Sequence, residues 1–351
     1  MAINLAVKYE DKILQEFTHA SFMKNNVSNE YDLTGVRSLT IYTPVTVDLN
    51  DYDRTATANR FGTPTEMEDT VQELTMTQDK GFAITIDRGN NSDQMMIKES
   101  GRMLGLQVNE KVVPFMDKYA FKQFAVNAGT VKGITKPTKA TIVGCIMDAE
   151  TALTNALVPA ENRYLYIGAS MYNLLRQSSE FLAVDTLANK ALSKGVVGQI
   201  ADMTVVKVPD SYLPDDCYFI VMYKNSGVMP VKIKTQRILK EVAGLDGALL
   251  EGRYYFDAFV LGTRAMGIYA AVSSSKVQAD PTISAASSST TITSSGASSI
   301  KYTTDGTDPR YSKTAKVYSA AISGLSAGTV VKAVAYGSAF PSAVAEATVA
   351  S

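Results

Sequence analysis

Residues 38–50 read Ser38-Leu39-Thr40-Ile41-Tyr42-Thr43-Pro44-Val45-Thr46-Val47-Asp48-Leu49-Asn50. Leu39, Ile41, Thr43, Val45, Val47 and Leu49 fall on one face, and Thr40, Tyr42, Pro44, Thr46, Asp48 and Asn50 on the other, the period of two that marks a half-buried strand. Pro44 has no backbone N–H and places the strand on an edge. A matching stretch follows, with Leu74, Met76, Phe82, Ile84 and Ile86 on one face and Thr75, Thr77, Asp79, Ala83 and Thr85 on the other. Strands near 38–49 and 72–87 then make a long hairpin, whose apolar face a lone two-stranded ribbon cannot bury on itself. Its tip, residues 50–70, is 21 residues of polar and acidic sequence. An irregular loop of that length points to function or to packing on another molecule.

Outward from the hairpin the period changes. Ile97, Leu104, Val108, Val112, Phe115 and Tyr119 follow steps of three, four and seven, which predicts an amphipathic helix over 93–128 with a kink at Pro114, whose ring clashes with the carbonyl four positions back. A helix near 137–157, a strand at 164–167, a helix at 170–181 and strands near 203–208 and 218–222 follow. Paired strands at 254–261 and 264–272 close the unit. A mostly polar arm, 1–35, precedes it all. This order is α+β, without repeated βαβ units.

At 351 residues the chain exceeds what one core usually serves. A boundary falls after Val272, because residues 273–299 hold 11 Ser and 4 Thr. Beyond Pro281, short β-branched runs at Ile292, Ile300 with Tyr302, Val317, Ile322, 330–336 and 344–349 alternate with turn signals such as Asp305-Gly306 and Asp308-Pro309, which predicts a small β-sandwich over 282–351 behind a Ser-rich linker, 273–281. Its core is expected to use Ile300, Tyr302, Val331 and Ala333.

Composition narrows the functional classes. Thirty-four Lys plus Arg against 35 Asp plus Glu leave a net charge of −1, too little basic excess for a chain whose main work is to neutralise phosphates. No stretch of 18 apolar residues suggests a membrane span, and Cys145 and Cys217 have no metal-site spacing. His19, the single histidine, lies in the arm, where catalytic geometry is poorly held. Gly244, Gly247 and Gly252 lack a phosphate-loop spacing, and the acidic groups Asp215-Asp216 and Glu66, Glu68 and Asp69 sit in polar, turn-like sequence. The reading is of a non-enzyme with no cofactor and no metal.

The order of arm (1–35), extended loop (36–90), long helix (93–128), central α+β region and closing strand resembles the major capsid proteins of tailed bacteriophages, the Hong Kong 97 type fold. The stretch Gly198-Gln199-Ile200-Ala201-Asp202-Met203-Thr204-Val205-Val206-Lys207-Val208-Pro209, with Leu213-Pro214 after it, looks like that family's axial-domain strand and turn. Glu251-Gly252-Arg253-Tyr254-Tyr255-Phe256-Asp257-Ala258-Phe259-Val260-Leu261, with 265–272 following, looks like its peripheral return strands. The resemblance implies a shell domain over 1–272, with an axial domain at about 135–250 and closing peripheral strands at 253–272. It implies self-assembly through hexamers and pentamers into an icosahedral container for double-stranded DNA held by weak contact, in a virion assembled in the host cytoplasm, with scaffolding and portal proteins as further partners and no membrane. Leu39, Ile41, Val45, Val47, Leu74, Met76, Phe82, Ile84 and Ile86 would then face a neighbouring subunit.

The tail resembles a second family, the immunoglobulin-like module at the carboxyl end of some chitobiases and hexosaminidases. The resemblance rests on Tyr302-Thr303-Thr304-Asp305-Gly306-Thr307-Asp308-Pro309 and on the later Val331-Lys332-Ala333-Val334-Ala335-Tyr336. Small, weakly charged and joined by a Ser-rich connection, the module is expected on the shell's outer face, since inside it would take volume needed for DNA; host-surface glycans are a candidate ligand, and truncation after Val272 is expected to leave assembly intact. A glycan-binding, adhesin-like protein and an encapsulin-type cargo compartment are the alternatives. Some capsids of this fold are locked by an isopeptide bond from a lysine in the extended loop; with no lysine between Lys24 and Lys80, noncovalent shells are expected here.

Overall fold

The computed structural model describes residues 21–28, 30–31, 38–46, 49–55, 57–64, 66, 69–93, 99–178, 196–240, 242, 244, 246–286 and 289–350. His19, Val47 and Ile97 lie outside them. In chain order, β1 (Ser38–Pro44) and β2 (Asp69–Thr75) pair antiparallel, with Leu39 opposite Leu74 and Ile41 opposite Gln72. After two residues β3 (Gln78–Asp87) begins, and α1 (Arg88–Asp93) follows it. The spine is α2 (Ser100–Gln107), a π-helical turn (Val108–Val112) and α3 (Val113–Val126). The central region holds β4 (Thr130–Ile134), α4 (Ile142–Asn155), β5 (Arg163–Gly168), α5 (Ala169–Arg176), β6 (Val196–Ile200), β7 (Met203–Val208) and β8 (Cys217–Tyr223). Then come β9 (Gly227–Val228), β10 (Val231–Leu239), β11 (Gly247–Phe256), β12 (Phe259–Val260) and β13 (Ile268–Ser273).

The central sheet runs β4-β13-β8-β5-β7-β6 and is mixed, with β13–β4 and β5–β7 parallel. Its strands are apolar on both faces because helices cover both. Tyr166, Val206, Ile220, Ile268 and Ala270 point to the core under α3, where Phe121 and Phe124 are fully buried. Their alternates Leu165, Ile167, Val205, Phe219 and Ala271 meet Ile142, Ile146 and Leu153 of α4. Burial on two faces explains why these runs read as continuously hydrophobic rather than alternating.

The long hairpin is corrected. Only β1 and β2 pair, and β1 ends at Pro44, where the proline removes a ladder donor, so Val45 and Leu49 lie beyond the ribbon and exposed. β3 instead pairs with β11, which also pairs with β10, in a peripheral three-stranded sheet where Ile84 stands opposite Leu250. Phe82, Ile84 and Ile86 therefore pack inside the chain, against Leu104, Met103 and Leu250. Period two identifies a face but not a partner. The closing strands are corrected likewise: β11 belongs to the peripheral sheet and β13 to the central one, so residues 254–261 and 264–272 do not pair, and β10 joins β11 and β3 in the three-stranded sheet.

The spine starts as a helix at Ser100, and its buried seam shifts after the π turn. Leu104 is buried, but in α3 the core face is Asp117, Ala120, Phe121, Phe124 and Ala125, while Phe115 is exposed. Pro114 cannot donate to the carbonyl of Glu110, and a π turn, which carries an extra residue per turn, absorbs that defect and rotates the following seam by about one position. The arm is not wholly an arm. Phe22, Met23 and Val27 are buried in the core under α3, and the backbone of Ser28 bonds Gly227.

The tail is a sandwich. β14 (Thr282–Ala285) and β15 (Thr290–Thr293) face a four-stranded sheet built from β16 (Ser299–Thr303), β17 (Lys316–Val317), β18 (Val330–Tyr336) and β19 (Ala345–Thr348) in the order β17-β16-β18-β19. Ile292, Val331, Ala333 and Val349 are its buried core, with Ile300 and Tyr302 packed on them. The Ser-rich connection is not a free tether: Val277 bridges Phe340, and the side-chain amide of the buried Gln278 donates to Ser294 Oγ and to the carbonyl of Ser295. Phe340 itself is buried in the core of the body.

Candidate assembly site

Among the described residues, the extended loop is where several exposed large apolar side chains gather that the single chain leaves uncovered. Within its described part, residues 49–55 and 57–64, it folds back on itself, with Asp53 N–H donating to the carbonyl of Arg60 at 3.0 Å and Tyr52 meeting Phe61 edge-on at 4.9 Å between centroids. Gly62 adopts φ +93° against Asn50, where a side chain would collide. Leu49, Tyr52 and Phe61 are 101%, 49% and 83% exposed, an apolar tip on a small isolated ribbon. Five acidic and two basic residues lie between 50 and 70, so the tip is negative as well as greasy.

The base of the loop is fixed to the body by polar side chains. Gln72 Nε2 donates to the carbonyl of Val260 and its Oε1 accepts from Gly262 N–H, both at 2.8 Å. Leu74 packs with Val228 and Leu261, and Ile41 lies on them; Met76 is fully buried. Asp257, 3% exposed, accepts from Thr77 N–H (2.7 Å), Thr77 Oγ1 (2.9 Å), Tyr119 Oη (2.7 Å) and Ala258 N–H (2.8 Å). One carboxylate thus ties the loop's exit to the spine. Burial, with the neighbouring carboxylate, pushes the Tyr119 phenol up to about 12.

Of the residues expected to face a neighbour, Val45 is exposed, Leu39 and Ile41 are half-buried, and Leu74, Met76 and Ile86 are buried within the chain. Sequence reasoning did not single out Gln72 or Asp257. Asp257 left a signal: it is the one charge in the apolar run Tyr254-Tyr255-Phe256-Asp257-Ala258-Phe259-Val260, and a carboxylate buried there needs donors.

A second anchor is Asp117, which accepts from Ser21 Oγ at 2.7 Å and Phe22 N–H at 2.8 Å and so holds the arm segment to the spine. Burial pushes its carboxyl above the usual range, and those two hydrogen bonds only partly offset the effect. It lies in a groove of about 620 Å³ lined by Val27, Val112, Met116 and Val231 and by the exposed Lys24 and Lys234.

In the module, the quoted motif builds a turn. Thr303 Oγ1 donates to the carbonyl of Thr307, and Asp305 accepts from Thr307 N–H at 3.0 Å and from the Thr307 and Thr314 hydroxyls. Partial burial raises the Asp305 carboxyl, but these donors outweigh it and leave it below its ordinary value. Gly306 takes φ +75°, Tyr302 packs edge-on to Tyr318, Thr304 is half-buried and Pro309 buried. Asp308 accepts from Arg310 N–H at 2.9 Å.

Among the described residues no group of three His, Cys, Asp or Glu side chains is placed to hold a metal, and no helix is long and apolar enough to cross a membrane. Asp215 and Asp216 are exposed, and burial pushes the Cys217 thiol up to about 12, away from nucleophilic use.

Comparison with known proteins agrees with this architecture. A family described as Fn3 associated matches residues 290–349, consistent with an immunoglobulin-like module. No curated protein matches the chain. A solved structure from Mycobacterium phage Che8 superposes with a TM-score of 0.64 at 20% identity, covering 77% of this chain and 98% of the other. The capsid of cyanophage P-SCSP1u gives 0.64 at 13% identity, over 76% and 92%. The head structure of Helicobacter pylori bacteriophage KHP40 gives 0.56 at 12% identity, over 77% and 94%. The chain has the Hong Kong 97 type capsid fold, extended at its carboxyl end by an immunoglobulin-like β domain.

Proposed function

We propose that this chain is the major capsid protein of a tailed bacteriophage, a structural rather than catalytic protein that assembles through hexamers and pentamers into an icosahedral shell around double-stranded DNA. The observation that carries the reading is the extended loop, a ribbon whose apolar, acidic tip is exposed on a body whose fold is that of phage capsids. Exposed Leu49, Tyr52 and Phe61 need burial, and a second copy of the chain supplies it; Val45 and the open faces of Leu39 and Ile41 join the contact. The roles of Leu74, Met76, Phe82, Ile84 and Ile86 are to hold the loop's root rather than to meet the neighbour. A net charge of −1 suits a wall that encloses DNA without gripping it. Scaffolding and portal proteins complete the assembly, in the host cytoplasm, and the product is the virion. The domain division follows: a shell body to about Val272 and a module from Thr282. Any glycan ligand of the module would use a face other than its 308–313 turn, which is occupied.

The test is electron microscopy of the purified chain. Hollow polyhedra from the unmodified protein, and their loss in a Tyr52→Ser/Phe61→Ser variant that keeps its circular dichroism, are expected. A monodisperse monomer under assembly conditions would overturn the reading, and normal shells from the variant would overturn the loop tip as the contact that drives assembly.

A further inference from the structure

The turn after β16, Asp308-Pro309-Arg310-Tyr311-Ser312-Lys313, reaches out of the module into the body at two places far apart in sequence. Arg310, its side chain only 6% exposed, is oriented by Asp308 at 2.7 Å. It donates from Nη1 to the carbonyl of Ala128 at 2.7 Å and from Nη2 to that of Gly129 at 3.1 Å. Tyr311 Oη donates to the carbonyl of Asn127 at 2.7 Å. Asn127 is the C-cap of α3, so its carbonyl is one of the acceptors a helix end leaves without an intrahelical partner; those of Ala128 and Gly129 follow directly, where the helix dipole favours a cation. On the other side, Lys313 N–H donates to the carbonyl of Val71 at 3.1 Å and its ammonium lies 3.4 Å from Glu73, so the same turn holds the outer strand of the extended loop.

Packing reinforces the polar contacts. Phe340 is 1% exposed inside the core under α3, and Tyr311 packs on that core and against Gly262, whose backbone also holds Gln72. A display domain on a tether would present its polar turn to solvent. This turn is spent on the spine's end and the loop's root.

We propose that the module is a built-in cement: its 308–313 turn clamps the extended loop to the carboxyl end of the spine, and the loop's position depends on that clamp. The surface is the turn itself, and its partner is the chain's own body. Truncation after Val272 then removes a core side chain and the clamp together, and the expectation that assembly tolerates it is replaced by its opposite.

Hydrogen exchange on the full, unassembled chain tests this without relying on shell formation, so failure here and failure of the capsid reading are distinguishable. The reporters are the amides of Lys313 and of residues 71–75 and 129–131. Arg310→Ala is expected to speed their exchange roughly 10- to 100-fold, the equivalent of losing charge-assisted hydrogen bonds, and Tyr311→Phe, which removes only a hydroxyl, about 3- to 10-fold. Lys332→Ala, which breaks the Lys332–Glu346 pair within the module's own sheet, should leave them unchanged. If Arg310→Ala also unprotects residues 299–303 and 330–336, the module itself has opened and Tyr311→Phe decides. Unchanged reporters in Tyr311→Phe, or equal acceleration by Lys332→Ala, would overturn the proposal.

Discussion

Replacing Asp257 with Ala removes the carboxylate that joins the loop's exit, the spine and the peripheral strand. Three of its four donors, Thr77 N–H, Thr77 Oγ1 and Tyr119 Oη, come from outside its own segment and would face an apolar wall. A hydrogen bond to a charged acceptor contributes about 1.5–3 kcal/mol, and the bonds share one acceptor, so they do not add. The expected loss is about 3–5 kcal/mol, in the range for breaking a buried polar network. For a body of this size that lowers Tm by roughly 6–20 °C. Urea unfolding of the unassembled chain is the assay, with Tyr119→Phe as the second arm of a double-mutant cycle, because that change keeps the ring against Phe256 and removes the hydroxyl alone. Tyr119→Phe should cost about 1–2 kcal/mol, and the coupling between the two sites should be of that size. A loss below about 1 kcal/mol in Asp257→Ala, or a coupling near zero, would refute the reasoning.

Gly129→Ala places a Cβ 2.3 Å from the carbonyl oxygen of Ala265, a backbone atom that cannot step aside, and the variant should be recovered in inclusion bodies or with a sharply lower melting temperature. Asp117 has its carboxyl raised by burial, so its protonated form is favoured in the folded chain. The stabilisation is full below its ordinary value of 3.8 and is lost as pH rises through the folded value, and Asp117→Asn should flatten that slope in melting temperatures measured from pH 3 to 7. Shells should be noncovalent, since no lysine lies between Lys24 and Lys80: boiled, reduced particles should run at the monomer mass of 37.8 kDa, against a covalent ladder. Leu74→Asp, buried at the loop's root, should unfold the chain locally instead of yielding a folded, unassembled subunit, read as lost protection over 69–75.

Much of the fold was legible because local chemistry writes it. Alternation at Leu39, Ile41 and Thr43 marked a ribbon, Pro44 its edge, and the turn signals at Asp305-Gly306 and Asp308-Pro309 marked the sandwich, whose core does contain Val331 and Ala333. Pro114 announced a defect in the spine. It did not announce a π turn, which shifted the buried seam from the line through Phe115 to Asp117 and Phe121.

What only the tertiary structure decided is who meets whom. Ile84 alternates equally well whether its partner is β1 or β11, and the choice was made by Leu250, 166 positions away, together with Thr77 turning onto Asp257. The docking of the module was hidden for a sharper reason. Arg310 and Tyr311 bind main-chain carbonyls at 127–129, groups that every residue carries, so no side-chain pattern there reveals the acceptor. A sequence specifies which side chains must be buried and where the chain turns; which free backbone atoms lie within reach of a distant guanidinium is settled only when the pieces pack.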